Sequence, residues 1–152
     1  NPLQAERRRM DAMTSEFEPW QHQLLNELRV GRLATVSADG RPHLVPVCYA
    51  LDRGAVVIPV DEKPKRSTDL VRVRNIQRDP RVTLLFDRYD DDWTRLAWVR
   101  VDGLARALQH GAEQPAALMA LRERYPQYRS MGLEERPLIV IAPEQIHGWR
   151  WQ

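Results

Sequence analysis

The chain has 152 residues, 43% of them hydrophobic, which is enough for one domain with a core of its own. Its net charge is +2 with acidic and basic residues interleaved, which argues against a dedicated nucleic-acid surface. No run approaches the roughly 18 apolar residues of a membrane span, the N-terminal residues lack the apolar stretch of a signal peptide, and Cys48 is the single cysteine. These features predict a cytoplasmic protein without membrane or nucleic-acid partners.

The first half of the chain predicts a short helical part followed by strands. Residues 1–17 are interpreted as an N-terminal arm or helix, and residues 18–152 as the single domain. Pro19 suits the first position of a helix in which Trp20, Leu24 and Leu28 recur every four residues. The pattern then alternates, which predicts strands at residues 32–37, 43–51 and 55–60, joined by tight turns at 38–40 and 52–54. We expect these three strands to form an antiparallel meander.

The second half adds two helices and three strands. Ser67 is a candidate N-cap for a helix that Asp79 and Pro80 end. Strands follow at residues 81–87 and 96–108, then a helix at 115–125 with Pro126 as its stop, and a last strand at 138–149. Six mostly antiparallel strands with few helices predict an α+β, mainly β fold, a small closed or split β-barrel.

The most informative segment is residues 61–67, which we call the anion-binding segment. The chain has 21 arginines but only two lysines, and both lysines, Lys63 and Lys65, lie here next to Arg66 and Ser67. The segment leaves an apolar strand and enters a helix, so cations and free backbone N–H groups would converge on one anion. A phosphate site is the functional interpretation, and a solvated charged turn is the alternative. No glycine-rich phosphate loop or dinucleotide motif accompanies it.

A proline within a predicted strand marks a second candidate. Pro46 has no backbone N–H to donate, so the neighbouring strand should be interrupted there. The free backbone groups of residues 44–47 could hydrogen-bond the polar edge of a planar heterocycle. A plain edge strand explains the same residue equally well.

Other reactive side chains have simpler explanations. Cys48 has no histidine at a spacing that would activate it, which favours a packing role. The histidines form no metal pattern, although His43 begins the strand that contains Pro46, and the acidic residues 90–92 are interpreted as a solvated turn rather than a metal site. Several late aromatic and basic residues could line a cofactor pocket, a dimer interface or the core: Trp98, Arg100, Trp149, Arg150 and Trp151.

Several motifs together resemble one known family, the pyridoxamine 5′-phosphate oxidase-like split β-barrels, and within it the branch that uses the deazaflavin coenzyme F420. The resemblance covers about residues 19–149. It rests on the runs GRLATV from Gly31, DGRPHLVPV from Asp39, KPKR from Lys63, NI from Asn75, DPRV from Asp79, YDDDW from Tyr89 and WVRVDG from Trp98. Related barrels bind FMN, haem or biliverdin-like tetrapyrroles. The oxidase's own substrate signature is not evident near residue 152, which disfavours vitamin B6 oxidation.

The resemblance implies a homodimer with two cofactor sites at the subunit interface, each lined by both chains. Carried onto this sequence, Val45, Pro46 and Val47 would face the ring system. Trp98, Arg100 and Trp149 would approach it from the partner chain. The phosphate side would be held by Pro59, Val60, Lys63, Lys65, Arg66 and Ser67.

No serine elbow, carboxylate pair or cysteine dyad is present, so the sequence offers no catalytic nucleophile for hydrolysis. Redox chemistry on a bound cofactor requires mainly orientation and electrostatics from the protein. The leading hypothesis is an F420-dependent reductase that transfers hydride to an electron-poor small molecule, with no catalytic side chain and no metal. The alternatives are an FMN-binding oxidoreductase of the same fold, a flavin or tetrapyrrole carrier without turnover, and an arginine-rich nucleic-acid binder.

Overall fold

The computed structural model describes residues 16–61 and 70–152, together with Pro2. Its centre is one sheet of seven antiparallel strands in the order β2-β1-β5-β6-β7-β4-β3. The strands are β1 Gly31–Val36, β2 Pro42–Val47, β3 Ala50–Asp52, β4 Ala55–Pro59, β5 Arg81–Arg88, β6 Ala97–Leu108 and β7 Leu138–Arg150. Three described helices flank the sheet: α1 Pro19–Glu27, α2 Val71–Arg78 and α3 Pro115–Arg124.

The sheet has seven strands and not the predicted six, because the predicted strand 43–51 is two strands. The chain leaves the sheet at Cys48 and Tyr49, where the Tyr49 N–H donates to the Tyr125 hydroxyl at 3.1 Å instead of to a strand. Among the described strands, β2 pairs only with β1, and β3 pairs only with β4. The predicted meander is therefore wrong: the first three strands are parts of two hairpins that lie at opposite edges of the sheet.

This connection makes the sheet curl into a split barrel. Val47 ends one edge strand and Ala50 begins the other. Three Cα–Cα steps separate these residues, so the two edges approach within about 11 Å at this point. The inward side chains fill the barrel, among them the fully buried Leu33, Phe86 and Val99.

A second apolar cluster lies outside the barrel, where α3 covers β3, β4 and the start of β7. Leu118 and Leu121 of α3 pack with Val57 and Leu138, all at 3% exposure or less. α3 begins at Pro115 and ends before Tyr125 and Pro126, close to the prediction. None of the described helices is long and apolar enough to cross a membrane.

The other helix boundaries follow local signals in the sequence. α1 begins at Pro19, and the backbone N–H of Glu18 donates to the side chain of Gln21 at 2.9 Å. α2 ends at Arg78, directly before the predicted stop at Asp79 and Pro80, and it begins at Val71 after Leu70. The predicted N-cap Ser67 lies outside the described residues. So does most of the predicted arm 1–17, of which Phe17 packs against the barrel core.

Candidate functional site

The anion-binding segment is described only at its entrance. Lys63, Lys65, Arg66 and Ser67 lie outside the described residues, and Asp61 is the last described position before them. Asp61 is held from two directions. The Tyr128 hydroxyl donates to its Oδ2 at 3.1 Å, and the Arg136 guanidinium donates to its carbonyl oxygen at 2.5 Å. The segment that carries both lysines therefore leaves the sheet from a fixed point.

Pro59 and Val60, the two residues directly before Asp61, are buried. Pro59 is the last residue of β4, opposite Leu138, and the Val60 N–H donates to the Pro137 carbonyl at 3.0 Å. The Val60 side chain is 0% exposed. Side-chain contact with a cofactor would therefore begin at Asp61 or beyond, because the Val60 side chain is enclosed by the core.

Strand alternation divides the three residues that were expected to face a ring. Val45 and Val47 lie opposite Leu33 and Gly31 and point into the barrel, while Pro46 lies opposite Arg32 on the outer face. Pairing continues through Pro46, so the expected interruption of the neighbouring strand at this residue is wrong. β2 is an edge strand of the described sheet, and a proline is tolerated at an edge because no described strand on that side needs its missing N–H. Its outward backbone groups remain open along the described sheet.

The outer face of the sheet brings together the remaining predicted residues. Trp98 on β6 lies directly opposite Trp149 on β7, and Arg100 lies opposite His147. A cross-strand row connects Arg100 through Leu85 and Arg32 to Pro46 on the edge strand. Apolar side chains on this face are unusually exposed: Leu44 is 65%, Trp149 43% and Leu85 38% accessible.

The charges on this face are paired but remain accessible. Arg100 lies 3.7 Å from Asp102, and Arg32 lies 3.4 Å from Asp87. Between 37% and 48% of each of these four side chains is exposed, so solvent screens both pairs and the guanidinium groups can still contact an anion.

A polar network at one end of the barrel was not foreseen from the sequence beyond the single residue His43. Asn75 of α2 donates to the Thr35 hydroxyl at 3.0 Å, and Arg78 donates to Asn75 at 3.0 Å. His43 lies opposite Thr35 on β2, and its buried Nδ1 has no hydrogen-bond partner among the described residues. The network fixes α2 against β1, which sets the point at which the anion-binding segment rejoins the fold.

The largest unforeseen group surrounds Tyr49 and Arg124. The Arg124 guanidinium donates to carbonyls of Tyr49 and Asn26 at 2.9 and 3.0 Å and lies 4.9 Å from the centre of the Tyr49 ring. Burial raises the pKa of the Tyr49 phenol above its usual value, so the hydroxyl stays protonated and donates to the Leu25 carbonyl at 2.6 Å. No spacing in the sequence signals these contacts, since Tyr49 and Arg124 are 75 positions apart.

Tyr128 connects the anchored entrance with the strand crossover. Burial, and then a hydrogen bond with Cys48, raises the pKa of its phenol above the usual value. Cys48 is half-buried and packs in the cluster beneath α3. This placement agrees with the packing role expected for Cys48.

The carboxylates of Asp90 and Asp92 in the acidic turn accept hydrogen bonds from neighbouring residues of the chain. Asp92 accepts from the Thr94 N–H at 3.1 Å, and Asp90 accepts from Arg95 at 2.9 Å. Within residues 16–61 and 70–152, no three His, Cys, Asp or Glu side chains are grouped as a metal site requires.

Comparison with known proteins identifies the family. The model of the pyridoxamine 5′-phosphate oxidase family matches residues 17–150. The 5a,11a-dehydrotetracycline/5a,11a-dehydrooxytetracycline reductase of Streptomyces rimosus is 32% identical over 124 residues, covering 78% of this chain and 72% of that protein.

Solved structures show the same fold. A conserved hypothetical protein from Mycobacterium tuberculosis has a TM-score of 0.69 at 28% identity, over 91% of this chain and 88% of that one. An F420 reductase has a TM-score of 0.60 at 23% identity, over 83% and 94% of the two chains. At 23% identity the second likeness shows the fold alone, but the family match spans nearly the whole chain. This split barrel, predicted from its motifs, therefore belongs to the pyridoxamine 5′-phosphate oxidase family.

Proposed function

We propose that this protein is an oxidoreductase of the F420-dependent branch, which reduces an electron-poor small molecule with hydride from a bound deazaflavin. The observation that carries the proposal is the anchored entrance at Asp61, from which the only two lysines of the chain follow within four residues. Family membership and the 32% identical tetracycline reductase support the reaction class. The choice of cofactor follows from the motif resemblance to the deazaflavin branch, and an F420 reductase shares the fold.

The described residues fit a cofactor with a planar ring and an anionic tail. The exposed Leu44, Leu85 and Trp149 offer apolar surface on the outer sheet face, and the half-exposed guanidinium of Arg100 offers positive charge beside it. When bound, the deazaflavin would supply hydride at ring carbon 5. The side chains bind and orient it and exclude water, and no side chain acts as a nucleophile.

We further propose that the protein acts as a homodimer. Pro46 on β2 and Arg100 on β6 are separated by three strand-to-strand steps, or about 14 Å along the sheet. In a homodimer, one protomer would supply the edge strand with Pro46 and its partner would supply β6 and β7 with Arg100, so that a single ring system could contact both. The exposed apolar side chains on this face also favour a covering surface.

The cofactor is tested by titrating the purified protein separately with F420 and with FMN and recording absorbance and fluorescence. We expect F420 to bind with the higher affinity. Tighter binding of FMN would replace F420 as the cofactor but leave the oxidoreductase class intact. Reduction of the bound cofactor, followed by a screen of nitro compounds, quinones and enones, tests turnover. Failure of every acceptor to oxidise it would favour a carrier.

The role of the anion-binding segment is tested with the double variant Lys63→Ala, Lys65→Ala. Each charge-assisted hydrogen bond contributes about 1.5–3 kcal/mol and the two overlap, so we expect binding to weaken by roughly 2–4 kcal/mol. The control removes two exposed charges elsewhere, with Arg41→Ala and Arg106→Ala. An unchanged dissociation constant in the lysine variant would remove the proposed role of the segment.

A further inference from the structure

One histidine lies on the outer face of the sheet, where the proposed function places the cofactor. Of the four histidines, all of them within the described residues, only His147 is on this face. It lies on β7, and its register partner on β6 is Arg100. His43 points to the barrel side of β2. His22 lies on α1 and His110 in the connection between β6 and α3, so neither belongs to the sheet.

Strand geometry places His147 among the residues that are expected to approach the cofactor ring. Directly opposed side chains of an antiparallel pair have Cβ atoms about 4.5–5.5 Å apart, which puts His147 beside Arg100. Alternate residues of one strand share a face at a spacing of about 7 Å, which puts His147 next to Trp149. Trp98 lies diagonally across, as the register partner of Trp149. The imidazole is therefore bordered by both tryptophans and the arginine.

The ring of His147 is accessible to a bound molecule. The residue is exposed, and no group among the described residues forms a hydrogen bond with its ring. Two charged groups face it from β6: Arg100, directly opposite, and Asp102, which lies diagonally across and 3.7 Å from Arg100. The other neighbour of β7 is β4, which pairs only with residues 138–141 and does not reach His147. Both ring nitrogens are therefore open to a ligand.

The ionisable side chains around His147 on this face of the described sheet are poorly suited to give a proton at neutral pH. Asp87 and Asp102 are acidic, and a carboxyl group has no proton to give at neutral pH. Arg32 and Arg100 carry guanidinium groups, which keep their protons. Histidine is the residue type that both gives and recovers a proton near neutrality. By this comparison, His147 is the proton donor that this part of the face offers.

Hydride transfer alone does not complete the reduction of an uncharged acceptor. The hydride brings two electrons and one hydrogen, so the acceptor becomes an anion until a proton is added. We propose that the protonated ring of His147 donates this proton: its N–H bond breaks as a new C–H or O–H bond forms on the acceptor. The hydride comes from the reduced deazaflavin, the proton released on oxidation of the cofactor passes to water, and water returns one proton to His147. This role rests on the proposed function, and it adds a proton donor to a site for which the sequence predicted no catalytic side chain.

Two hydride acceptors test the proton separately from the hydride. Cyclohexenone needs a proton after it accepts hydride, whereas the N-methylacridinium cation becomes neutral on accepting hydride and needs none. We expect His147→Ala to slow cyclohexenone reduction by about 100-fold or more, as for a lost general acid, and to leave acridinium reduction within about twofold. His110→Ala removes an exposed histidine elsewhere and should change neither rate. An unchanged rate with cyclohexenone in His147→Ala, or an equal loss with both acceptors, would overturn the proposal.

The pH dependence of cyclohexenone reduction gives a second readout. The wild-type rate should fall as the pH rises, because the protonated imidazole that gives the proton is lost. This dependence should be missing from His147→Ala, and added imidazole should restore part of its rate by replacing the lost donor. Circular dichroism confirms that the variant is folded. A variant that keeps the wild-type pH profile would contradict the role of His147.

NMR of the histidine rings tests the placement of His147 without turnover. Oxidised F420 is added to the wild-type protein, and the His147 signal is identified by its absence from the spectrum of His147→Ala. We expect this signal to shift on F420 binding, while those of His22 and His110 stay in place. An unmoved His147 signal in protein saturated with F420 would overturn this inference alone and leave the cofactor proposal intact. Absence of cofactor binding, or binding without reduction of either acceptor, would instead refute the proposed function and the role of His147 with it.

Discussion

Arg124 is predicted to be one of the most important charged residues for stability, although it is far from the residues proposed to bind cofactor. Its guanidinium reaches the carbonyls at the end of α1 and the carbonyl of Tyr49, where the chain crosses from one edge of the sheet to the other. Cations at a helix C-terminus stabilise its unpaired carbonyls. The same side chain thus joins α1, α3 and the crossover.

The cost of Arg124→Ala can be worked out contact by contact. The Tyr49 carbonyl belongs to a fully buried residue, so loss of its charged donor costs about 2–3 kcal/mol. The Asn26 carbonyl belongs to an exposed residue and can bind water, which reduces its share to about 0.5–1 kcal/mol. Loss of the cation–π contacts with Tyr49 and Tyr125 adds about 0.5–1 kcal/mol. The single proton of the Tyr49 hydroxyl stays with the Leu25 carbonyl at 2.6 Å, while the Leu28 carbonyl belongs to a half-buried residue that water can reach. We expect a total loss of about 3–5 kcal/mol.

The assay is urea unfolding followed by circular dichroism at one fixed protein concentration, since subunit association would shift the midpoint. Arg124→Lys keeps the charge but not the planar guanidinium group. We expect it to lower the free energy of unfolding about half as much as Arg124→Ala does. Arg106→Ala removes an exposed arginine from β6 and should stay within about 0.5 kcal/mol of the wild type. A loss below about 1 kcal/mol for Arg124→Ala, with an unchanged m-value, would refute the reasoning.

Three further predictions test the contact that holds Asp61, the packing of the sheet at Gly103 and the loss of folding stability at low pH. Tyr128→Phe removes the hydroxyl that holds Asp61, so F420 should bind several-fold more weakly in a spectroscopic titration. Gly103→Ala places a Cβ 2.6 Å from a backbone carbonyl oxygen of β7 and should cost about 1–3 kcal/mol in urea unfolding. Hydrogen bonds from Arg81 lower the pKa of Asp79 to about 2, which carboxyl NMR titration should reproduce. Because the pKa is lower in the folded state, ionised Asp79 stabilises the fold at pH values above 3.8, the ordinary pKa of the group. This stabilisation is lost as the pH falls through about 2.

Controls and contrary outcomes are available for each of these three. Gly132→Ala adds a Cβ with no atom within 4 Å and should be nearly neutral, so equal losses at both glycines would contradict the steric argument. Unchanged F420 affinity in Tyr128→Phe would show that the anchor does not serve the anion-binding segment. Asp79→Asn should reduce the change in stability between pH 4 and pH 2, and an identical pH profile would contradict the assigned pKa.

Local signals predicted the element boundaries well, because prolines, glycines and apolar periodicity act over a few residues. Pro19, Asp79 and Pro126 mark helix ends in both the prediction and the structure. The break at Cys48 and Tyr49 could not be predicted in this way, since residues 43–51 keep an alternating pattern. What ends β2 is a hydrogen bond to Tyr125, 76 positions away, and this partner is defined only by the folded chain.

The residues on the outer sheet face could be predicted from the sequence, whereas the contacts that hold Asp61 could not. Trp98, Arg100 and Trp149 were assigned from the family resemblance, and strand register places them on one face. Their grouping could be inferred because register relates residues of paired strands. The anchors of Asp61 could not, because Tyr128 and Arg136 lie on irregular turns whose positions depend on how α3 packs.

A continuous set of aromatic contacts connects Asp61, the first residue of the anion-binding segment, with the barrel core. Tyr128, whose hydroxyl holds Asp61, packs edge-on against Tyr125 with 5.3 Å between ring centres. The Tyr125 hydroxyl accepts the N–H of Tyr49, and the Tyr49 ring packs 4.6 Å from that of Phe86 inside the barrel. Because interiors are close-packed, displacement of one ring requires movement of the next. Asp61, the entrance to the anion-binding segment, is therefore linked by direct contacts to the barrel core, so less backbone at Asp61 has to be ordered when an anion binds to the segment.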